Sequence, residues 1–285
     1  MKIFKGMFLC ILFFIMATGF SWKNKNKEIQ EITAFCGSAS KPALEECAGI
    51  FEKNTGIKVN LIMGGSGTVL SQMKLSKKGD IYIPGSPDYM DLAKKDGLVY
   101  TETEKYLAYL VPSIIVQKGN PKNIRTLSDL SQAGLKVAIG NPRSVCVGLY
   151  AYEIFERAGQ LENIKSNIVT FAESCDKTAL LVSLKKVDAV MGWDVFEKWN
   201  PDNSEAVYLQ VEEIPRIAYI PAAVSKYTKN RKAAQQFIDF ISGKAGQSVF
   251  KKWGYIESEE AAKKIASNAT IGGEYFLPDK LYYEK

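Results

Sequence analysis

A short run of glycine and hydroxyl residues, Met63-Gly64-Gly65-Ser66-Gly67-Thr68, separates an apolar, strand-like stretch at 57–63 from a helical spacing of Val69, Leu70, Met73 and Leu75. The same succession of strand, small-residue loop and helix recurs along the chain. Before it, 28–35 reads as a strand and Cys36-Gly37-Ser38-Ala39-Ser40-Lys41-Pro42 as its loop. Leu44, Cys47, Ala48 and Phe51 follow as the apolar face of a helix ended by Asn54-Thr55-Gly56. After it, 80–84 and a helix over 89–95, closed by Gly97, make a third unit. Such alternation predicts an α/β fold, a mostly parallel sheet flanked by helices, with strand ends and helix starts lining one edge.

A second series begins beyond residue 109. The apolar strand 109–117 is interrupted by Pro112 and is placed to carry the chain between two lobes. Thr126 and Ser128 cap a short helix, and strand 135–139 leads through Gly140 to Gly148 into a helix carrying Tyr150, Ile154 and Phe155. Strand 167–171, loop 172–177 and helix 178–185 repeat the unit, and strand 188–191 meets Gly192-Trp193-Asp194. The stretch 214–224 holds two prolines, which suits a returning crossover better than a central strand. Two amphipathic helices, 230–241 and 244–253, and a Tyr-rich tail over 256–285 complete the chain.

The four loops 36–42, 64–68, 140–148 and 172–177 are alike, two in each half. If the halves are lobes joined near Pro112 and Pro221, the four helix starts converge on one cleft, where hydroxyls and backbone amides can hold an oxyanion. Helix capping is the alternative role for each loop. Lys41, Arg143 and Lys177 flank the loops as attracting charges or as plain solvated surface.

Composition narrows the chemistry. The chain has no histidine, which excludes Ser-His-Asp and Cys-His catalysis and every imidazole zinc site. Cys36, Cys47, Cys146 and Cys175 form no C-x-x-C pair, and their spacing assigns no disulfide pattern. Lys2 and Lys5, the apolar run 7–16 and the small residues Ala17, Thr18 and Gly19 have the layout of a secretory signal over 1–21, with an uncleaved anchor as the alternative. Cys10 lacks the small residues that precede a lipidated cysteine. The signal accounts for two lysines of a net charge of +6, and the remaining basic residues are interleaved with acids, so no nucleic-acid partner is expected.

The combined pattern resembles the molybdate-binding family of extracytoplasmic substrate-binding proteins that serve ABC transporters. It is carried by ITAFCGSASKPALEECAGIFEKNTGIKVNLIMGGSGTVLSQM, GDIYIPGSPDYMDLA, VPSIIVQKGNPKNIRTLSDL, LKVAIGNPRSVCVGLYAYEIFERAG, VDAVMGW and KAAQQFIDFISGKAGQSVFKKWGY, nearly all of 32–255. The resemblance implies a two-lobed type II periplasmic-binding fold, with lobe 1 formed by 28–111 plus 222–285 and lobe 2 by 112–221. It implies a monomeric, non-enzymatic protein in the periplasm or an equivalent extracytoplasmic space. The protein would carry no cofactor, would close on molybdate or tungstate as its ligand, and would dock on a membrane permease.

In the family, a serine in each of the first two loops, backbone amides of the third and fourth, and a tyrosine hydroxyl hold the anion. Carried over, the second serine is Ser66, beside Gly65. The first falls on Ala39, flanked by Ser38 and Ser40, either of which can substitute. The amides fall at Val147 and at Asp176 or its neighbour Cys175, with the Asp176 side chain expected to cap its helix outward. The tyrosine position falls on Trp193, an indole donor without a hydroxyl. These departures leave sulfate or phosphate open as ligands. They also leave open a soft-metal site of copper(I) type on Cys36, Cys146 and Cys175, with Cys47 in the core.

Overall fold

The computed structural model describes residues 30–279 and 281, so the predicted signal over 1–21, with Cys10, lies outside the described residues. In chain order β1 (Glu31–Gly37), α1 (Lys41–Thr55), β2 (Lys58–Gly64), α2 (Ser66–Ser76), β3 (Ile81–Ile83) and α3 (Pro87–Lys95) realise the three strand–loop–helix units. β1 runs parallel to β2 on one side and β3 on the other, with Phe35 opposite Ile62 and Tyr82. α1 starts with a proline in its first turn and stops where Gly56 adopts a left-handed φ of 73°. Its Leu44, Cys47 and Phe51 are buried, and Phe51 meets Phe237 edge-on at 5.1 Å.

β4 (Lys105–Leu110) and β5 (Pro112–Gln117) are separated by Val111 alone, yet they belong to different sheets. The second sheet is then built from β6 (Val137–Gly140), β7 (Ile168–Ala172), β8 (Ala189–Trp193) and β9 (Ser204–Tyr208), in the order β7-β6-β8-β5-β9. Between these strands come α4 (Cys146–Arg157), α5 (Leu161–Ile164), α6 (Cys175–Ser183) and α7 (Phe196–Trp199). The chain returns to the first sheet as β10 (Arg216–Val224) and continues through α8 (Arg231–Ser242), α9 (Lys244–Lys252), α10 (Glu259–Ile265) and β11 (Thr270–Ile271). The first sheet has the order β11-β10-β3-β1-β2, with β4 also paired to β10.

Both sheets are mixed. Parallel strands form one side of each, β3-β1-β2 and β7-β6-β8, and antiparallel pairs form where the chain crosses over: β10 with β3 and β4, and β5 with β8 and β9. The proline-bearing stretch therefore differs from expectation, since β10 lies inside its sheet. Pro221 is accommodated at a register shift between Ile220 and Pro221, where no ladder N–H is required of it. The loops are also shorter than the sequence suggests. β1 extends through Gly37, a 3-10 turn covers Ser38–Ser40, and α6 begins at Cys175. The predicted helix capped by Thr126 and Ser128 is a 3-10 turn over Leu127–Ser131, capped by Thr126 and Asp129.

One hydrophobic cluster runs from the first sheet through Cys146, Tyr150, Cys175 and Trp193, joining the two halves, and a second fills the far face of the second sheet. No helix among the described residues is long and apolar enough to cross a membrane.

Candidate functional site

The four similar loops meet between the sheets. Ser66 is the first residue of α2 and its hydroxyl does not cap that helix; its Oγ accepts the Gly85 N–H at 3.0 Å, from the loop after β3. Its backbone carbonyl accepts the buried Tyr82 hydroxyl at 3.0 Å. Gly65 comes so close to the opposite half that a Cβ there would lie 2.7 Å from the carbonyl oxygens of both Glu173 and Ser144. Gly67 donates its N–H to that same Ser144 carbonyl at 2.9 Å. The glycines of the GGSGT run thus serve close approach across the cleft.

Of the two serines flanking Ala39, Ser38 reaches the other half: its Oγ accepts the Asp176 N–H at 3.1 Å. Ser40 turns back and donates to the Gly37 carbonyl at 3.2 Å. The Ala39 carbonyl between them accepts the Tyr255 hydroxyl at 2.7 Å. All three residues of this turn are buried.

Asp176 does not cap α6 as expected. Ser174 is the N-cap, accepting the Lys177 N–H, because the helix starts one residue before Asp176 rather than at it. The Asp176 carboxylate accepts from the Ser174 hydroxyl at 2.5 Å and pairs with Lys41 at 3.1 Å, an ion pair that joins α1 to α6. Burial pushes this carboxyl up, but hydrogen bonds from Ser174, Ser38 and Lys41 together hold it below its usual range. Its charge is answered by Lys41, which leaves the N–H to act as a donor.

Val147 follows Cys146 in the first turn of α4, and the Trp193 indole Nε1 is buried without a hydrogen-bond partner. Trp193 is fully buried and its ring meets that of Tyr150 edge-on at 5.0 Å. The Tyr150 hydroxyl is likewise buried and without a hydrogen-bond partner. Sequence reading did not single out Tyr150, although it lies one helical turn beyond Val147, a spacing that puts both on one face of α4.

The three loop cysteines are not brought together as a trio. Cys146 and Cys175 have their sulfurs 3.4 Å apart, whereas Cys36 donates to the Ala34 carbonyl at 3.5 Å within its own strand. Among the described residues no group of three His, Cys, Asp or Glu side chains is arranged to hold a metal ion. Cys47 is in the core, where burial pushes its thiol up to about 12. Outside this buried centre, Lys41, Thr68, Gln72, Asn141, Ser144 and Lys177 line a cleft of about 480 Å³.

A small, dehydrated site made of hydroxyls and backbone N–H groups, with its one carboxylate neutralised, suits an anion held by neutral donors. The family model of bacterial extracellular solute-binding proteins matches residues 32–256. The chain belongs to this family. This solute-binding protein is 22% identical over 232 residues to the molybdate-binding protein ModA of Escherichia coli (strain K12), a match covering 79% of the chain and 88% of the relative. The sulfate-binding protein SubI from Mycobacterium tuberculosis H37Rv superposes with a TM-score of 0.68 at 16% identity, over 85% of this chain and 94% of that one. The L-phospholactate-bound PEB3 of Campylobacter jejuni superposes with a TM-score of 0.63 at 24% identity, over 80% and 100%. The fold of this solute-binding protein is accordingly the two-lobed type II periplasmic-binding fold.

Proposed function

We propose that this protein binds a tetrahedral oxyanion, molybdate or tungstate, outside the cytoplasm and delivers it to the membrane permease of an ABC transporter. The observation that supports the reading is the convergence of Ser38, Ser66, the Asp176 N–H and Cys146, which immediately precedes Val147, from four separate loops at one buried centre. In this reading β1 to β4 with the chain from β10 to β11 forms one lobe and β5 to β9 the other; a boundary at 221/222 would cut β10, which pairs along its length with strands of the first sheet. Val111, between β4 and β5, is one of the two places where the chain passes between them.

The mechanism follows from the donors. An anion entering the open cleft meets Ser38 and Ser66 on one lobe, and closure brings the Val147 and Asp176 N–H groups from the other. Lost hydration is replaced by hydrogen bonds from groups that carry no net charge. Donors of this kind favour a fully ionised dianion over one that must donate a proton. The Ser38 to Asp176 bond of the closed form is exchanged for bonds to the ligand, so the lobes keep a reason to stay closed while it is bound.

A second reading is an organic phosphate, with its anionic head at the same donors. What favours it is the polar cleft at the mouth, several times larger than one tetrahedral oxyanion and flanked by Lys41 and Lys177. Calorimetric titration with molybdate, tungstate, sulfate, phosphate and L-phospholactate separates the readings. Binding of either group-six oxyanion tighter than about 10 μM, roughly −7 kcal/mol, is expected. Tight binding of L-phospholactate alone replaces the first reading by the second.

A further inference from the structure

Two of the four described cysteines stand apart from the others. Cys146 opens α4 and Cys175 opens α6, their sulfurs lie 3.4 Å apart, and both are at most 2% exposed. Four cysteines allow three full pairings by sequence, but only this pair is in contact: Cys36 faces its own strand and Cys47 the inner face of α1. Each thiol immediately precedes one of the two amides assigned to the anion, Val147 and Asp176.

We propose that Cys146 and Cys175 form a reversible disulfide in the floor of the cleft, which shifts the two helix starts that carry the Val147 and Asp176 N–H groups. A disulfide needs its sulfurs about 2.05 Å apart, so the pair has to close by about 1.4 Å, within reach of side-chain rotation and a slight shift of the two helix starts. The oxidant is a small disulfide such as oxidised glutathione. One cysteine, as thiolate, attacks it, forming a mixed disulfide and releasing one glutathione thiolate. The second cysteine, having given its proton to solvent, attacks the protein sulfur of the mixed disulfide and releases the other glutathione. Two protein S–H bonds are lost, one S–S bond forms, and the oxidant leaves as two thiols.

The first sheet controls access to the pair. Cys146 is covered by the loop after β3, where a Cβ added at Gly85 would lie 2.6 Å from its sulfur. The attack therefore belongs to the open cleft. Once oxidised, Cys175 is drawn toward Cys146, and the starts of α4 and α6 move together, changing the placing of the N–H groups they offer a guest.

The test uses the purified protein after incubation with oxidised glutathione. Denaturation, alkylation and peptide mapping should give one cross-linked species carrying Cys146 and Cys175, with Cys36 and Cys47 alkylated. The oxidised protein should melt roughly 5–10 °C above the reduced one, a shift reversed by dithiothreitol and absent from Cys175→Ala. Alkylation at all four positions, a different pairing, or the same shift in Cys175→Ala overturns the cross-link. The coupling to the ligand rests on the oxyanion reading and predicts at least about a fivefold difference in molybdate or tungstate affinity between the two forms. Equal affinities overturn the coupling; binding by neither form overturns the oxyanion reading, and the peptide map still decides the disulfide.

Discussion

Ser38 and Ser40 lie in one buried 3-10 turn but send their hydroxyls in different directions, one across the cleft and one back along the chain. Their substitutions should therefore separate. Ser38→Ala and Ser66→Ala each remove a hydrogen bond to a charged ligand, worth about 1.5–3 kcal/mol, and should weaken molybdate binding at least about tenfold by calorimetry. Ser40→Ala should change it less than about threefold, and an equal loss at Ser40 would mean that the turn presents the wrong serine. Asp194 acts elsewhere, at the crossover between lobes: its carboxyl accepts the Val111 N–H at 3.1 Å, and burial raises its pKa to about 7 against the lowering effect of the Val111 and Val195 N–H groups. Between the unfolded value of 3.8 and the folded value the native chain keeps a proton that the unfolded chain has released. Stability therefore falls as pH rises through that window and levels off above it. Asp194→Asn keeps the acceptor without the proton. Its melting temperature relative to wild type should rise from pH 4 to 7 and then stay flat, with an upper bound of roughly 4 kcal/mol at about 1.36 kcal/mol per unit. A constant difference across that range contradicts a buried, titrating Asp194.

At the next scale the site is an arrangement of helix starts, and Gly65, the residue before α2, sets how closely two of them approach. A side chain there would run into the Glu173 and Ser144 carbonyls from the other half. Its φ of −64° is open to any residue, so Gly65→Ala should fold normally and fail in closure. Ligand affinity should drop more than tenfold while the unliganded melting temperature moves by less than about 2 °C; unchanged affinity would place the anion away from this contact. The succession of elements was legible because small residues after a strand and apolar residues at helical spacing are local signals, as in the GGSGT run and in Leu44, Cys47 and Phe51. The sites where reading failed are those decided by distant partners. The prolines of the 214–224 stretch argued against a central strand, and the register shift that admits Pro221 depends on β4. Choosing Ser38 over Ser40 depends on Asp176, and giving the α6 cap to Ser174 depends on where the helix begins, a matter of one residue. The pairing of Lys41 with Asp176 spans 135 residues, and no spacing rule reaches that far.

Across the whole molecule the halves are joined by a buried charge cluster as well as by the cleft. Arg216, at the start of β10, is 3% exposed and reaches in three directions. It donates to Asp88 of α3 at 2.8 Å, to Glu153 of α4 at 2.7 Å and to the Gly273 carbonyl beyond β11 at 2.7 Å, while its guanidinium lies 4.3 Å from the Tyr150 ring centroid. α3 packs on the first sheet and α4 on the second, so a single cation holds acids from both. Such a cluster adds little over a well-packed apolar replacement, but removing only the cation leaves two buried carboxylates without their main partner. Arg216→Met should therefore cost about 3–5 kcal/mol, lowering the melting temperature by roughly 10 °C. The cost lies in the stranded acids rather than in the lost arginine, so neutralising them should reverse it. Asp88→Asn with Glu153→Gln in the Arg216→Met background should recover at least half of the loss, even though Glu153 retains Arg157 as a second partner at 3.0 Å. Thermal unfolding of the three proteins at one pH decides the point: a triple variant no more stable than Arg216→Met would show that arginine packing against Tyr150, and not charge balance, is what joins the halves.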